Sequence, residues 1–287
     1  METLLKGSGK TVTIDNEGTF TIIGESINPT RRKKLIETLQ AGDFNYALSL
    51  AETQIAFGAD ILDINVGFPG VDDVKLLPAV VNAVSEKYSV PLCLDTPNPN
   101  ALAAGLAAVQ GKALVNSVNG EEKSLEAILP IVKEYGAAVI GLCMDDNGIS
   151  NDPEERVSIA GMILERAAKI GIAPENIVID PLVMSVGSDD KAGMVCLQTI
   201  ALVRREFGVN ITMGASNVSF GLPEREIINQ AFLVAAMYAG ASCAITNPVK
   251  LTSIIRAADL LLARDEYAGR YIKHYRTLQK LGASASG

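Results

Sequence analysis

The sequence predicts an α/β fold, a single (β/α)8 barrel of the TIM-barrel type with an N-terminal β-hairpin. Three observations predict it. The chain has 287 residues, a usual length for one such barrel. Its apolar runs of strand type alternate with helical patterns, as in a parallel sheet that helices cover on both faces. The alternation occurs eight times, the number of units that closes a barrel of this kind.

The eight units follow one another along nearly the whole chain. Each strand segment is rich in Val, Ile or Leu, and a periodic apolar pattern typical of a helix comes after it. One helix starts at DPEER, where Asp152 suits the N-cap and Pro153 suits the first turn. The predicted strand segments are FTIIGE (20–25), ADILDINVG (59–67), PLCLDT (91–96), KALVNSVN (112–119), AAVIGLCM (137–144), NIVIDPLV (176–183), NITMGASN (210–217) and ASCAITNP (241–248).

Both ends of the chain are predicted to flank the barrel, which we expect to span residues 20–282. Residues 1–19 belong to a predicted hairpin, because KTVTIDNEGTFTIIGE alternates on both sides of a DNEG turn. The hairpin would lead into the barrel or plug its floor. The closing GASASG predicts a flexible tail at residues 283–287. An open doubly wound sheet is disfavoured, since GESINP is not a glycine-rich GxGxxG turn.

Composition argues against several classes of protein. A formal net charge of −8 leaves no basic surplus for nucleic acid. We expect a cytoplasmic chain without membrane contact, since no run of about 18 apolar residues and no secretory signal occurs. Cys93, Cys143, Cys196 and Cys243 form no CxxC pair, and His274 lies in a polar C-terminal segment. We therefore expect buried, reduced thiols and no metal site on this chain.

Polar side chains collect at the carboxyl ends of the predicted strands, where the active site of such a barrel lies. They are carboxylates, carboxamides and a serine, with almost no arginine or lysine among them. Carboxylates accept adjacent N–H groups and amides both donate and accept, so this mouth suits a neutral, planar ligand with several N–H donors. The residues are Glu25, Asn28, Asp63, Asn65, Asp95, Asn116, Asn119, Asp145, Asp146, Asp180, Ser216, Asn217 and Asn247.

A purely structural explanation competes with this one, because Asp and Asn at strand ends also cap helices and form turns. It is strong for Asp145, Asp146 and Asn119, which lie in loop-like sequence. It is weaker for Asp95, Asn116 and Asp180, which end or lie within the apolar runs PLCLD, KALVN and IVID. A buried carboxylate has to be paired or has a shifted pKa, and both conditions are commoner at functional sites.

Six motifs, in the order GESINP, LDINVG, CLDT, VNSVN, VIDPLV and GASNVS, resemble those of the pterin-binding methyltransferases. These are the methyltetrahydrofolate:corrinoid protein methyltransferases and the folate module of cobalamin-dependent methionine synthase. The likeness runs from about residue 20 to residue 265. It implies a commonly homodimeric barrel that moves a methyl group between N5 of tetrahydrofolate and the cobalt of a corrinoid (cobalamin). Tetrahydrofolate or 5-methyltetrahydrofolate would be the substrate, and a separate corrinoid protein the partner.

The resemblance also implies roles for single residues. Asp95 of CLDT, Asn116 of VNSVN and Asp180 of VIDPL would hold the pterin ring, and Asn217 of GASNVS would reach N5. Asn217 and Asp180 would be catalytic, because hydrogen bonding to N5 that strengthens in the transition state improves a poor leaving group. Further substrate-binding residues are Glu25, Asn28, Asp63 and Asn65 of the first two strand motifs, with Gly214 and Ser216, whose loop backbone would approach the ring.

Two alternatives stay open. A dihydropteroate synthase-like enzyme would share the barrel and the pterin pocket, but the chain lacks an SxR-type pyrophosphate-binding end and has no arginine or lysine directly after GAS. A non-catalytic pterin-binding subunit would need the ring-binding residues alone, and the presence of Asn217 argues against it. Either direction of methyl transfer, and more than one pathway and corrinoid partner, fits these motifs.

Overall fold

The computed structural model describes residues 1–285 and confirms the α/β barrel with a two-stranded N-terminal sheet. The hairpin strands are β1 (Glu2–Lys6) and β2 (Thr11–Asp15). The barrel strands are β3 (Thr21–Ile27), β4 (Ile61–Asn65), β5 (Leu92–Asp95), β6 (Leu114–Asn119), β7 (Ala138–Leu142), β8 (Ile177–Asp180), β9 (Asn210–Ile211) and β10 (Cys243–Thr246). The helices are α1 (Lys33–Gln40), α2 (Asn45–Ala56), α3 (Asp73–Lys87), α4 (Pro99–Ala108), α5 (Glu122–Tyr135), α6 (Pro153–Lys169), α7 (Ala192–Phe207), α8 (Arg225–Ala239), α9 (Pro248–Leu261) and α10 (Gly269–Ala285).

The eight barrel strands run parallel and follow one another around the sheet in chain order, with β10 beside β3. The last gap, between β9 and β10, is closed by two backbone hydrogen bonds. The Ser242 N–H donates to the Ile211 carbonyl at 3.0 Å, and the Ile245 N–H donates to the Met213 carbonyl at 2.9 Å. The carboxyl ends of all eight strands therefore face one mouth, as the alternating pattern predicts.

Side-chain caps start several helices just beyond the strand ends. Asp152 Oδ1 accepts the Glu154 N–H at 3.0 Å and Pro153 occupies the first turn of α6, which confirms the predicted helix start. Asn247 uses the same device at α9, where its side chain accepts the Val249 N–H at 3.0 Å. Asn247 is thus a strand-end residue with a structural role, since the cap satisfies a helix N–H group that lacks a partner.

The N-terminal hairpin plugs the floor of the barrel, but the predicted pairing across DNEG is wrong. β2 pairs with β1 across residues 7–10. Because β10 and β4 occupy both edges of β3, the segment after DNEG has no free edge for β2. Leu5, Val12 and Ile14 are buried inside the barrel, in one cluster with Ile23 and Val178. The hairpin therefore supplies the apolar bottom of the barrel interior.

Other predictions concern the thiols and the tail. The four cysteines are buried, as predicted, and unpaired. His274 lies in α10 and is 3.0 Å from Ser253 Oγ. Within residues 1–285, no helix is long and apolar enough to cross a membrane, and no group of three or more metal-ligating side chains occurs. The tail predicted at residues 283–287 begins within α10, and its last two residues lie outside the described part.

Candidate active site

Three neighbouring strands bring three predicted residues together at the mouth. In the parallel register, Asn65 of β4 lies beside Asp95 of β5, and Asp95 lies beside Asn116 of β6. Asn65 Nδ2 donates to Asp95 Oδ2 at 2.9 Å. Its own Oδ1 accepts the Gly67 N–H at 2.8 Å, so both ends of this amide are used inside the protein. Asn65 therefore orients Asp95 from within the protein.

Asp63 lies one step deeper on β4 and is buried. Its Oδ1 accepts a hydrogen bond from Asn116 Nδ2 at 3.3 Å. Burial raises the pKa of Asp63 well above its ordinary range, and the nearby Asp95 carboxylate raises it further. The neutral acid is thus favoured at this position, because two close carboxylates in a buried site do not both ionise easily. Asp63 thus holds Asn116 from deeper inside the barrel. The sequence motif had not indicated this supporting contact.

Asp180 ends β8 and is likewise buried. Its Oδ1 accepts the Leu182 N–H at 2.7 Å, which closes a tight turn, and Leu182 has a left-handed backbone with φ of 65°. Burial raises the pKa of Asp180 to about 7, while the positive charge of Arg156 acts in the opposite direction. The carboxyl group can therefore hold or release a proton near neutral pH.

Arg156 holds the turn that follows Asp180, and sequence reasoning missed it. The side chain is fully buried on α6, and Nη1 donates to the carbonyls of Pro181 and Leu182, both at 2.7 Å. Its Nε donates to the Ser150 carbonyl at 2.7 Å. The available signal was an arginine on the apolar face of a helix, a residue type that is almost never buried unless it is paired.

The three ring-binding candidates share a pattern of half-used polar groups. Asp95, Asn116 and Asp180 each commit one side-chain atom to a protein partner. One side-chain oxygen remains on each residue: Asp95 Oδ1, Asn116 Oδ1 and Asp180 Oδ2. None of these oxygens accepts a hydrogen bond from any residue between 1 and 285, and each of them is accessible to solvent. The mouth thus presents three open acceptors, the complement of a ligand with several N–H donors.

Two cavities open at this end of the barrel. The larger has a volume of about 650 Å³ and contains Asp95 and Asn116, with Thr96, Ser117 and Leu142 among its walls. The smaller, of about 210 Å³, is lined by Glu25, Ser216, Arg225, Glu226, Asn229, Asn247, Lys250 and Leu251. The first turns of α8 and α9 thus place Arg225 and Lys250 at the rim, although the strand ends themselves carry almost no basic side chains.

Asn217 lies in a short 3-10 helix, Ala215–Ser219, directly after β9. It is exposed, and its side-chain amide makes no hydrogen bond with any other residue in the described part of the chain. Gly214 leaves room for this amide, since a Cβ atom at Gly214 would lie 2.9 Å from Asn217 Nδ2. The absence of a side chain at Gly214 therefore lets the Asn217 amide lie close to the backbone. Within residues 1–285, no hydrogen bond links Asn217 to Asp180.

The other predicted residues divide between a charged rim and local turns. Burial raises the pKa of Glu25, whereas the charges of Arg32 and Arg225 act to lower it. Arg225, which sequence reasoning missed, also binds the Ser216 carbonyl through Nη2 at 2.7 Å. The turn residues accept a backbone N–H two positions further along, as the structural explanation requires, and they are Asn28, Asn119 and Asp145.

Comparison with known sequences gives the family. Residues 24–247 match the pterin binding enzyme family. The chain is 31% identical over 263 residues to the methylcorrinoid:tetrahydrofolate methyltransferase of Eubacterium limosum, a match that covers 89% of this chain and 96% of that protein. It is 30% identical over 275 residues to the methionine synthase of Mycobacterium tuberculosis, covering 91% of this chain but 23% of that larger protein.

Solved structures show the same fold. A dihydropteroate synthase of Xanthomonas albilineans superposes with a TM-score of 0.69 at 21% identity and covers 93% of this chain and all of its own. The Yersinia pestis DHPS gives a TM-score of 0.67 at 18% identity, over 90% of this chain. At these identities the likeness concerns the barrel alone. The sequence matches decide the matter: the chain belongs to the pterin-binding enzyme family.

Proposed function

We propose that this enzyme transfers a methyl group between N5 of tetrahydrofolate and the cobalt of a corrinoid on a separate protein. One observation carries the proposal, the three open acceptors of Asp95, Asn116 and Asp180 at a single mouth. Support for the methyl chemistry comes from the relative of Eubacterium limosum, whose name states a methylcorrinoid and tetrahydrofolate as its reactants.

The first step is recognition of the pterin ring. A pterin is flat and neutral and has a 2-amino group beside ring N–H groups. Asp95 Oδ1 and Asp180 Oδ2 would accept these hydrogens, as carboxylates accept from adjacent N–H donors. Asn116 Oδ1 would accept from the same edge, with its amide nitrogen already fixed on Asp63. The arrangement orients the ring before any chemistry, which lowers the entropic part of the barrier.

The second step is activation of N5. A tertiary amine releases its methyl group poorly, because an amine anion is a bad leaving group. Asn217 has unused N–H donors at the mouth, and a donor whose bond strengthens as charge shifts to N5 stabilises the transition state. Asp180, with its pKa of about 7, would act on N5 indirectly, through the ring edge that its Oδ2 contacts, and the proton for N5 would arrive by way of water. The reduced cobalt of the corrinoid substrate supplies the nucleophile, so the chain needs no metal of its own.

The enzyme would also have a protein partner, a defined oligomeric state and a location in the cell. A corrinoid protein would dock over the open mouth, so that the cobalt meets the methyl group in line. We further propose a homodimer in the cytoplasm, without nucleic-acid or membrane binding. The homodimer is supported by the family resemblance, and the absence of nucleic acid by the net charge of −8.

A direct assay tests the proposal. Methylcobalamin and tetrahydrofolate are incubated with the protein without oxygen, and the cobalamin absorption spectrum and the folate product are followed. We expect demethylation of the cobalamin with formation of an equal amount of 5-methyltetrahydrofolate. Asn147→Ala changes an exposed asparagine in the loop after β7. It is the control for Asn217→Ala and should behave like the wild type. A spectrum and a folate pool that both stay unchanged would refute the assignment.

The two alternatives give different results in related assays. A dihydropteroate synthase-like enzyme would condense a pterin pyrophosphate with 4-aminobenzoate and leave methylcobalamin untouched. A non-catalytic subunit would bind tetrahydrofolate with no turnover of either kind. Methyl transfer that is lost on substitution of Asn217, while tetrahydrofolate still binds, would separate our proposal from both.

A further inference from the structure

A basic and aromatic cluster lies on the rim beside Asn217, and the mechanism above does not use it. Phe220 is 51% exposed, three residues beyond Asn217. The guanidinium carbon of Arg31 lies 5.3 Å from the centroid of its ring, and that of Arg225 lies 5.6 Å from the same centroid. We name Arg31, Phe220 and Arg225 the arginine rim. Cations at these distances are attracted to the ring, which fixes them relative to each other.

Within the described residues, the two arginines of the rim form no close ion pair. Within residues 1–285, neither Arg31 nor Arg225 forms an ion pair with a carboxylate, whereas the neighbouring Lys250 lies 3.6 Å from Glu226. Such partners are plentiful, since the chain has 33 acidic residues against 25 basic ones. Glu25 feels the charge of Arg225 only from beyond ion-pair distance, so two exposed guanidinium groups without a close ion pair form a local site for an anion.

The arginine rim is also held in place. Arg225 donates from Nε to Ser219 Oγ at 3.1 Å, and Ser219 Oγ in turn donates to Asn229 Oδ1 at 2.7 Å. With Nη2 on the Ser216 carbonyl, the guanidinium keeps three of its five N–H donors for other partners. Arg31 has a left-handed backbone with φ of 59°, in a loop that Asn28 closes through the Thr30 N–H at 2.9 Å. Little side-chain freedom at Arg225 therefore remains to be lost on binding.

The two halves of the mouth differ in charge, and this difference identifies the ligand. Asp95, Asn116 and Asp180 offer acceptors to a neutral ring, whereas the arginine rim offers donors to an anion. In tetrahydrofolate the side chain leaves the ring at C6, next to N5, and carries an aminobenzoyl group and glutamate carboxylates. We assign Asn217 to N5. Asn217 would therefore lie near C6, the ring atom to which the anionic tail is attached.

We infer that the arginine rim binds the carboxylates of the glutamate tail and makes the enzyme select folates with a poly-γ-glutamate tail over those with a short one. Each added γ-glutamyl residue brings one more carboxylate within reach of the guanidinium groups. The inference rests on the proposed function, because it takes the folate to be bound through its ring at the same mouth.

Calorimetry with three probes tests it. These are 6-methyltetrahydropterin, which has no tail, tetrahydrofolate with one glutamate, and tetrahydropteroyltriglutamate. We expect the wild type to bind them with increasing affinity in that order. Arg31→Gln should weaken triglutamate binding about threefold to fivefold, as for one exposed charge pair. Arg31→Gln combined with Arg225→Gln should weaken it about tenfold, and 0.5 M salt should reduce both effects.

Controls keep the outcomes distinct. Arg205→Gln removes an exposed arginine from the last turn of α7, at the floor end of the barrel, and should leave all three affinities at the wild-type values. Arg225→Lys keeps the charge but not the forked donor. Its affinity for the triglutamate should therefore lie between those of the wild type and Arg225→Gln. Thermal unfolding shows whether each variant is folded.

Two results would overturn the inference. If the wild type binds the tail-free pterin as tightly as the triglutamate, the tail has no site, although the proposed function survives. If Arg31→Gln lowers the affinity for all three probes equally, the arginine does not bind the tail, and the inference fails while the proposed function survives. If the wild type binds none of the three, the proposed function fails as well, and the spectral assay with methylcobalamin should then also show no reaction.

Discussion

The two ends of the barrel differ in whether the unpaired oxygens of carboxylates and carboxamides reach solvent. At the floor, Ile14 and its apolar neighbours fill the interior, and Asn210 Nδ2 donates to the Ile14 carbonyl at 2.9 Å. The floor also contains an acceptor without a partner, Asn210 Oδ1, but this atom is sealed from solvent. At the mouth, the unused oxygens of Asp95 and Asp180 remain open.

This difference separates stability from function along one barrel. An unused acceptor that no ligand can reach only costs folding free energy, whereas an open one can be satisfied by a substrate. Substitutions at the floor should therefore change the free energy of unfolding, and substitutions at the mouth should change binding and turnover. The following variants test that separation, beginning with the largest expected effect.

Ile14→Ala should lower the free energy of unfolding by about 2–5 kcal/mol, because it removes buried methyl groups and leaves a cavity where the hairpin packs. Urea denaturation measures the change. Thr13→Ala, on the exposed face of the same strand, is the control and should cost far less. The folded fraction of Ile14→Ala should still bind tetrahydrofolate with unchanged affinity. A large loss of affinity without a loss of stability would contradict the separation.

Asn217→Ala should slow methyl transfer about 10²- to 10³-fold, the usual cost of removing one donor that stabilises a transition state. Its side chain has no partner within the described residues, so the free energy of unfolding should barely change. Single-turnover kinetics and tetrahydrofolate binding are measured together. If affinity and rate fall by the same factor, Asn217 only binds the ligand.

Asp95→Asn should weaken tetrahydrofolate binding about 10- to 100-fold, since it replaces a charged acceptor with a neutral amide. It should not destabilise the fold, because it also removes the negative charge that raises the pKa of Asp63. Calorimetry and urea denaturation give the two quantities. Asp146→Asn, in an exposed loop of the same mouth, is the control. Unchanged binding in Asp95→Asn would remove this residue from the ring site.

The pH dependence of stability should report on Asp180. Its pKa is raised from 3.8 to about 7 in the folded protein, so the native state binds an additional proton between these values. Raising the pH from 5 to 8 removes that proton and lowers stability. Asp180→Asn should reduce this slope, by at most about 1.4 kcal/mol per pH unit. Urea denaturation at several pH values checks the expectation, and identical slopes in both proteins would contradict it.

Much of the fold and part of the site could be predicted from sequence. Strand–helix alternation indicated the barrel because parallel strands covered on both faces need continuous apolar runs. Asp95, Asn116 and Asp180 stood out because a polar residue at the end of such a run needs a reason. Strand ends meet at one mouth, so residues far apart in sequence could be grouped without knowing any distance.

Other features depend on contacts that sequence patterns do not contain. The hairpin pairing was decided by β10 and β4, which occupy both edges of β3 and leave β2 to pair with β1. Arg156 and Arg225 belong to helices. Only the folded structure shows that Arg156 contacts the turn after Asp180 and that Arg225 contacts the Ser216 carbonyl. The role of Asn65 depends on strand register, which places its amide on Asp95.

A crystal structure with bound 5-methyltetrahydrofolate tests most directly whether the open acceptors hold a pterin ring. We expect the 2-amino and ring N–H groups within hydrogen-bonding distance of Asp95 Oδ1 and Asp180 Oδ2, and the Asn217 amide beside N5. A ring bound elsewhere, or one bound at the mouth while these two oxygens still face solvent, would contradict the assignment.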